Sequence, residues 1–240
     1  MLAELSVILP VYNEGKIIRS NLEKVNGYLQ TLGLEYEIVV VNDGSTDDTL
    51  KQVSLMEEKH ISIISYEKNR GKGFAVNRGM RAARGRYRLF MDMDLSTELR
   101  EILKFLKYVQ NDMCDICVGN RHAIRLLDQE RPWHRALLGK IFAILSSICI
   151  GYRLEDATCG FKIFTAPACE KIFSRQHIYN WAFDSELIAI AHQLGLNIRQ
   201  EPVAWMHHEG SKVNIFKSLF TSLFGLVKIW YGVLSKQYLK

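Results

Sequence analysis

Residues 88–98 read RLFMDMDLSTE, and this stretch decides how the rest of the chain is read. An apolar run ends in two aspartates, Asp92 and Asp94, one residue apart. Carboxylates repel each other and are costly to desolvate, so a pair at the end of a buried strand needs a reason. On a regular strand, residues i and i+2 point the same way, roughly 7 Å apart. Where the chain bends at the strand end, both can approach one divalent cation. A hard cation such as Mg²⁺ takes oxygen ligands and commonly shares them with phosphates. The alternative is that the pair caps the next helix, 96–110, but Ser96 or Thr97 with Glu98 or Glu101 already suffices for that.

Upstream of this stretch the chain alternates between two periodicities. LSVILPVY (5–12), YEIVVVND (36–43), ISIISYEK (61–68) and RYRLFMDMD (86–94) are short apolar runs that predict buried strands. Between the first two, Ile17, Ile18, Leu22, Val25, Tyr28, Leu29 and Leu32 recur at helical spacing, and Gly33 ends the helix. Ser45, Thr46, Asp47 and Asp48 are candidate caps for a second helix over 49–60, and the Gly-rich NRGKG (69–73) opens a third. Strand and helix alternating through short connections predict an α/β protein with a parallel sheet and helices on both faces. Ligands of such sheets sit beyond the carboxyl ends of the strands. YNEG, NDGS, NRGKG and DMD all fall there.

Bulk properties narrow the class. The 240 residues make one large domain or one and a half, and 48% hydrophobic with 24% charged residues is an ordinary globular balance. A net charge of +5 suits anionic small molecules or a membrane surface and is too weak to argue for nucleic acid. The five cysteines have no framework spacing, and the Cys114/Cys117 pair has no zinc-spaced companion; they read as reduced thiols on a cytosolic face. The amino terminus has no basic start and its apolar stretch is interrupted at Pro10, so it does not read as a signal peptide. The first strand is not followed by GxGxxG, which argues against a dinucleotide-dependent dehydrogenase.

VILPVYNE, VVVNDGSTDDT, NRGKGFAVNRGM, FMDMDLS and VGNR occur in the order seen in family-2 glycosyltransferases of the Rossmann-like glycosyltransferase-A fold, with its mostly parallel central sheet. The second half, with DATCGFKIFT (156–165), WAFDSELIAIA (181–191) and HEGSKV (208–213), resembles the polyprenyl-phosphate hexosyltransferases, the dolichyl-phosphate glucose and mannose synthases and their bacterial relatives. The similarity runs from about residue 4 to 215. NRGKG, CGFK and WAFD lean to the glucosyl branch, and DLS to the mannosyl branch.

The resemblance implies roles for the matching positions. Pro10, Tyr12 and Glu14 would line the nucleotide pocket, Asp43 would take a base N–H, and Lys72 would lie near the nucleotide. Asp92 would touch the ribose or sugar side, and Asp94 would bind Mg²⁺ or Mn²⁺ on the diphosphate with Ser96 beside it. Arg121, Arg135 and Lys212 would clamp the acceptor phosphate, because a guanidinium grips phosphate oxygens bidentately. Asp156 matches the base of family members with hydroxyl acceptors; with a phosphate acceptor it would orient the clamp. The pattern is broken in three places: Asn42 stands before Asp43, Ser96 replaces a glutamine, and His207, His208 and Glu209 stand where an arginine can occur.

The implied activity is inverting transfer of a hexose, glucose from UDP-glucose being favoured, to dolichyl or undecaprenyl phosphate. Three alternatives stay open: a GDP-mannose-using enzyme, an enzyme with a hydroxyl acceptor, and a sugar-nucleotide-binding subunit without turnover. The segment 140–152 is apolar but too short to span a bilayer. Domain boundaries are expected at 1–212 for the catalytic unit and 213–240 for a C-terminal amphipathic helix. There Phe216, Leu219, Phe220, Leu223, Val227, Trp230 and Leu234 form one stripe punctuated by lysines. That stripe reads as lying on the cytoplasmic face of a membrane; packing on the protein's own core, on a membrane partner subunit or on a second copy is one alternative, and a poor spanning helix, disfavoured by two lysines inside the stretch, is another.

Overall fold

The computed structural model describes residues 3–56, 58–121, 144–206 and 215–239, with side chains in the last segment from Thr221 onward. Seven strands form one sheet in the order β3-β2-β1-β4-β6-β5-β7. They are β1 (Leu5–Val11), β2 (Tyr36–Asp43), β3 (Ile61–Tyr66), β4 (Tyr87–Met91), β5 (Ile116–Asn120), β6 (Phe161–Thr165) and β7 (Ile198–Pro202). All pairings are parallel except those of β6, which runs against both neighbours, β4 and β5. The sheet is therefore mostly parallel, as the alternating pattern predicts.

Successive residues of β1 serve opposite faces. Val7, Leu9 and Val11 pack in one core with α1 (Ile18–Thr31), α2 (Thr49–Ser54) and α4 (Glu101–Gln110). Ile8 packs in the other, with α3 (Lys72–Ala82), α6 (Ala166–Phe173), α7 (Phe183–Gln193) and α8 (Ile215–Leu234). Residues 144–150 form α5, whose Ile150 joins this second core.

Three elements are shorter than their patterns suggest. α2 stops at Ser54 and Leu55 is exposed, so no apolar stripe carries the helix onward. Its start is tied by Asp47, whose carboxylate accepts the Thr49 N–H at 3.0 Å. β4 ends at Met91 because the chain then turns: Leu95 takes a left-handed φ of 54° and its N–H reaches the Asp92 carbonyl at 3.3 Å. α4 starts at Glu101 rather than Ser96, because 96–98 runs alongside 204–206 instead. Thr97 bridges Trp205, Glu98 N–H donates to the Ala204 carbonyl, and Met206 N–H donates to the Ser96 carbonyl.

Candidate active site

The loops after β1, β2, β4, β5 and β7 leave the sheet at one edge, and β6 begins at that same edge because it runs the other way. The first two loops are knitted together. Asn13, with a φ of 57°, donates its N–H to Ser45 Oγ at 2.9 Å and accepts the Thr46 N–H at 2.7 Å; Glu14 N–H donates to Thr49 Oγ1 at 2.8 Å. Pro10 lies near the end of β1, Tyr12 is exposed beyond it, and Glu14 is half-buried. Asp43 is buried at the end of β2, where its two oxygens accept the N–H groups of Arg70 and Gly71 at 2.8 and 2.9 Å. This ties the second loop to the start of α3. Gly71 has a φ of 96°, and a side chain there would also strike the Tyr179 carbonyl.

Lys72, the first residue of α3, places its ammonium 2.5 Å from Asp92 Oδ1. Burial alone would lower its pKa; the Asp92 and Asp184 carboxylates outweigh that and hold it up. Because Met91 pairs with Phe161 across β4 and β6, Gly160 lies directly against the Asp92 side chain. Asp94 is exposed, and its Oδ1 accepts the Ser96 N–H at 2.9 Å, while Ser96 itself is buried.

Arg121 follows β5 immediately. Its Nε and Nη2 donate to the two oxygens of Asp156 at 2.7 and 2.8 Å, its own N–H adds a third bond at 3.1 Å, and Nη2 also reaches Thr158 Oγ1 at 3.0 Å. Asp156 is buried, and the guanidinium stands 5.8 Å from the Trp205 ring centroid. Burial would lower the arginine's pKa, but the Asp156 carboxylate keeps it raised. Asp92 acts electrostatically on Arg121 as well, so the donor and acceptor candidates share one field.

The structure therefore brings together Asp43, Lys72, Asp92, Asp94, Arg121 and Asp156. Arg135 and Lys212, with His207, His208 and Glu209, lie outside the described residues. Among the described residues no three Asp, Glu, His or Cys side chains converge as a metal cage. The exposed Asp94 offers a hard oxygen that fits a cation completing its shell with diphosphate and water, as Mg²⁺ commonly does.

Sequence reasoning missed one pair. Lys162 of CGFK and Asp184 of WAFD carried only the family resemblance, yet in the structure they form a buried ion pair. The signal was a lysine inside an apolar strand, which is rare unless the charge is paired.

A family model described as Glycosyl transferase family 2 matches residues 6–175. The chain belongs to that family. Dolichyl-phosphate beta-glucosyltransferases are similar over nearly the whole chain. That of Dictyostelium discoideum is 33% identical, covering 96% of this chain and 75% of the relative. Those of Drosophila melanogaster and Homo sapiens are 35% and 33% identical, covering 95% and 90% of this chain and 74% and 71% of the relatives. In structure, the chain resembles glucosyl-3-phosphoglycerate synthase of Mycobacterium tuberculosis solved with UDP (TM-score 0.72, 18% identity, 95% of this chain and 80% of that one). The same synthase solved with Mn²⁺, UDP-glucose and phosphoglyceric acid also has a TM-score of 0.72, at 16% identity and the same coverage. These structural likenesses establish the fold of a glycosyltransferase. The chain is an enzyme of this family.

Among the described residues no helix is long and apolar enough to cross a membrane. α8 is amphipathic in an unusual sense: Leu226 and Ile229 are buried in the core, while Leu223, Phe224, Val227, Trp230, Tyr231 and Leu234 are exposed on the opposite side. Gly225 allows the helix to close on Ala182, and Asn180 Nδ2 donates to the Thr221 carbonyl at 3.1 Å.

Proposed function

We propose that this family-2 glycosyltransferase moves glucose from UDP-glucose to a polyprenyl phosphate, dolichyl or undecaprenyl, with inversion at the anomeric carbon. The similar dolichyl-phosphate beta-glucosyltransferases support glucose and the lipid phosphate, and the structurally similar synthase solved with Mn²⁺ and UDP-glucose supports a uridine nucleotide and a divalent cation.

The observation that carries the acceptor reading is the Arg121–Asp156 pair. A carboxylate whose two oxygens both accept charge-assisted hydrogen bonds is a poor proton acceptor. A hydroxyl acceptor would need such a base; a phosphate monoester, with its second pKa near 6, arrives largely ionised. Asp156 instead fixes the guanidinium plane so that its remaining N–H groups face the incoming phosphate, with Arg135 and Lys212 as further members of the clamp. A lipid phosphate oxygen attacks the anomeric carbon, the bond from that carbon to the diphosphate breaks, and the nucleoside diphosphate leaves. No proton need move.

Asp43 and the loop it ties hold the nucleotide, with Pro10, Tyr12 and Glu14 lining its pocket. Lys72 faces the diphosphate, and Asp92 the sugar side. Asp94, with Ser96 beside it, would hold Mg²⁺ or Mn²⁺. The ion would neutralise the leaving diphosphate as a Lewis acid. Residues 1–212 form the catalytic unit. The exposed apolar side of α8, flanked by Lys228, lies at the lipid interface with its aromatic rings at headgroup depth, which supports a peripheral position at the cytoplasmic face of a membrane. The test is transfer of label from UDP-[14C]glucose and GDP-[14C]mannose to dolichyl phosphate with Mg²⁺, alongside Asp94→Ala. Metal-dependent label from UDP-glucose, lost in the variant, is expected; label from GDP-mannose alone would overturn the donor assignment.

A further inference from the structure

Lys162 is fully buried, an arrangement that a folded protein tolerates only with a partner. Its ammonium pairs with the buried Asp184 in the first turn of α7, donates to the Cys159 carbonyl at 2.6 Å, and stands 5.2 Å from the Phe90 ring centroid. None of these groups is in the catalytic cluster described above, yet each is one step from it.

On one side, the Cys159 carbonyl immediately precedes Gly160, which lies against Asp92. On the other side, Asp184 stands three residues after Trp181, whose ring centroid is 5.8 Å from the Lys72 ammonium. Phe183 packs on Gly73, leaving no room for even a methyl group between α3 and α7. The charges then alternate in a chain: Lys162, Asp184, Lys72, Asp92. Lys72 adjoins Gly73 and Asp184 adjoins Phe183, so the close packing of Phe183 on Gly73 brings the Asp184 carboxylate, paired with Lys162, within electrostatic reach of Lys72.

We propose that the buried Lys162–Asp184 pair is a positioning device for the donor site: Lys162 fixes the Asp184 carboxylate, and Asp184 holds Lys72 toward the diphosphate. The pair controls donor affinity without touching the donor. This rests on the reading of Lys72 as a donor ligand.

The physics of buried pairs supplies a test that separates positioning from mere stability. Removing one partner leaves a stranded charge, whereas removing both charges can be close to neutral for folding. K162M/D184N should therefore keep a thermal midpoint near that of the parent, while its affinity for UDP with Mg²⁺, measured by calorimetry, falls about tenfold. In a K72M background the same double substitution should change UDP affinity less than twofold, because its effect passes through Lys72. Undiminished UDP binding by K162M/D184N, or the same tenfold loss with and without Lys72, would overturn the proposal while leaving the donor reading intact. Unchanged UDP binding by K72M alone would overturn the donor reading and this proposal with it. Should K162M/D184N not fold, D184E, which keeps both charges but moves the carboxylate by one methylene, is the substitute. A threefold or greater loss of UDP affinity that vanishes in K72M supports the device, and unchanged affinity overturns it.

Discussion

Gly160→Ala is the smallest change that should disable the enzyme while leaving its fold standing. A methyl group on Gly160 would lie 2.2 Å from Asp92 Oδ2 and 2.8 Å from its Cγ, where ordinary contact begins at 3.4 Å. Asp92 must retreat by roughly 1 Å, since repulsion rises steeply inside van der Waals contact. The Asp92 side chain is 41% exposed, so it can swing outward at little cost to stability. It cannot do so and keep its pairing with Lys72. A displacement of about 1 Å at reacting groups costs on the order of 100-fold in rate. That corresponds to about 2.7 kcal/mol of lost transition-state stabilisation. The assay is kcat/KM for glucose transfer from UDP-glucose, run beside thermal unfolding of the same preparation. Loss of about two orders of magnitude in kcat/KM with a thermal midpoint shifted by less than about 4 °C is expected. Activity within threefold of the parent would refute the assignment of Asp92 to the sugar side; a collapse of the midpoint would show instead that Gly160 serves folding.

Further expectations follow from individual side chains. Asp156→Asn keeps the shape but loses the charge that fixes Arg121, so KM for lipid phosphate should rise about tenfold with little change in the pH profile of kcat; a loss of kcat by a thousandfold or more would assign Asp156 as a general base. Glu186 is buried and accepts N–H groups of His177 and Ile178 and the Tyr238 hydroxyl; burial, opposed by these bonds, pushes its pKa from 4.5 to about 7. The folded state thus holds the proton more tightly, so this group's stabilisation is full below pH 4.5 and is lost as pH rises through 7, on the order of 3 kcal/mol in all. Glu186→Gln should remove that loss, so its thermal midpoint relative to the parent should climb between pH 5 and 8; a constant difference would contradict the shift. On α8, Ile229→Ala should cost about 2–4 kcal/mol of stability by opening a core cavity. Val227→Asp on the exposed side should leave the midpoint unchanged and abolish co-sedimentation with anionic vesicles; retained sedimentation would remove the helix from the interface.

Much of the first half was legible because its signals are local. Each of β1 to β4 is a short apolar run closed by a polar turn, and such runs identify themselves without reference to the rest of the chain. The turn at Asp92–Leu95 was foreshadowed by the two aspartates, since neither could be buried along a continuing strand. Elements set by distant partners were not legible. Ser96 to Glu98 carry helix-start chemistry, yet they lie alongside 204–206, a hundred residues away. The reversal of β6, the approach of Gly160 to Asp92 and the Lys162–Asp184 pair all depend on the register of β4 with β6 and on the seating of α7, which no local periodicity encodes. Asp156 was singled out by family resemblance alone, and no local pattern in the sequence announced that both its oxygens would accept from Arg121.

The most direct test of the central claim offers the purified protein the same lipid in two forms, polyprenyl phosphate and the dephosphorylated polyprenol, with UDP-[14C]glucose and Mg²⁺. Label in the organic phase with the phosphate alone is the predicted result, because the proposed reaction takes an acceptor that arrives ionised and gives Arg121 the role of clamp and Asp156 no role as base. Label transferred to polyprenol would contradict it.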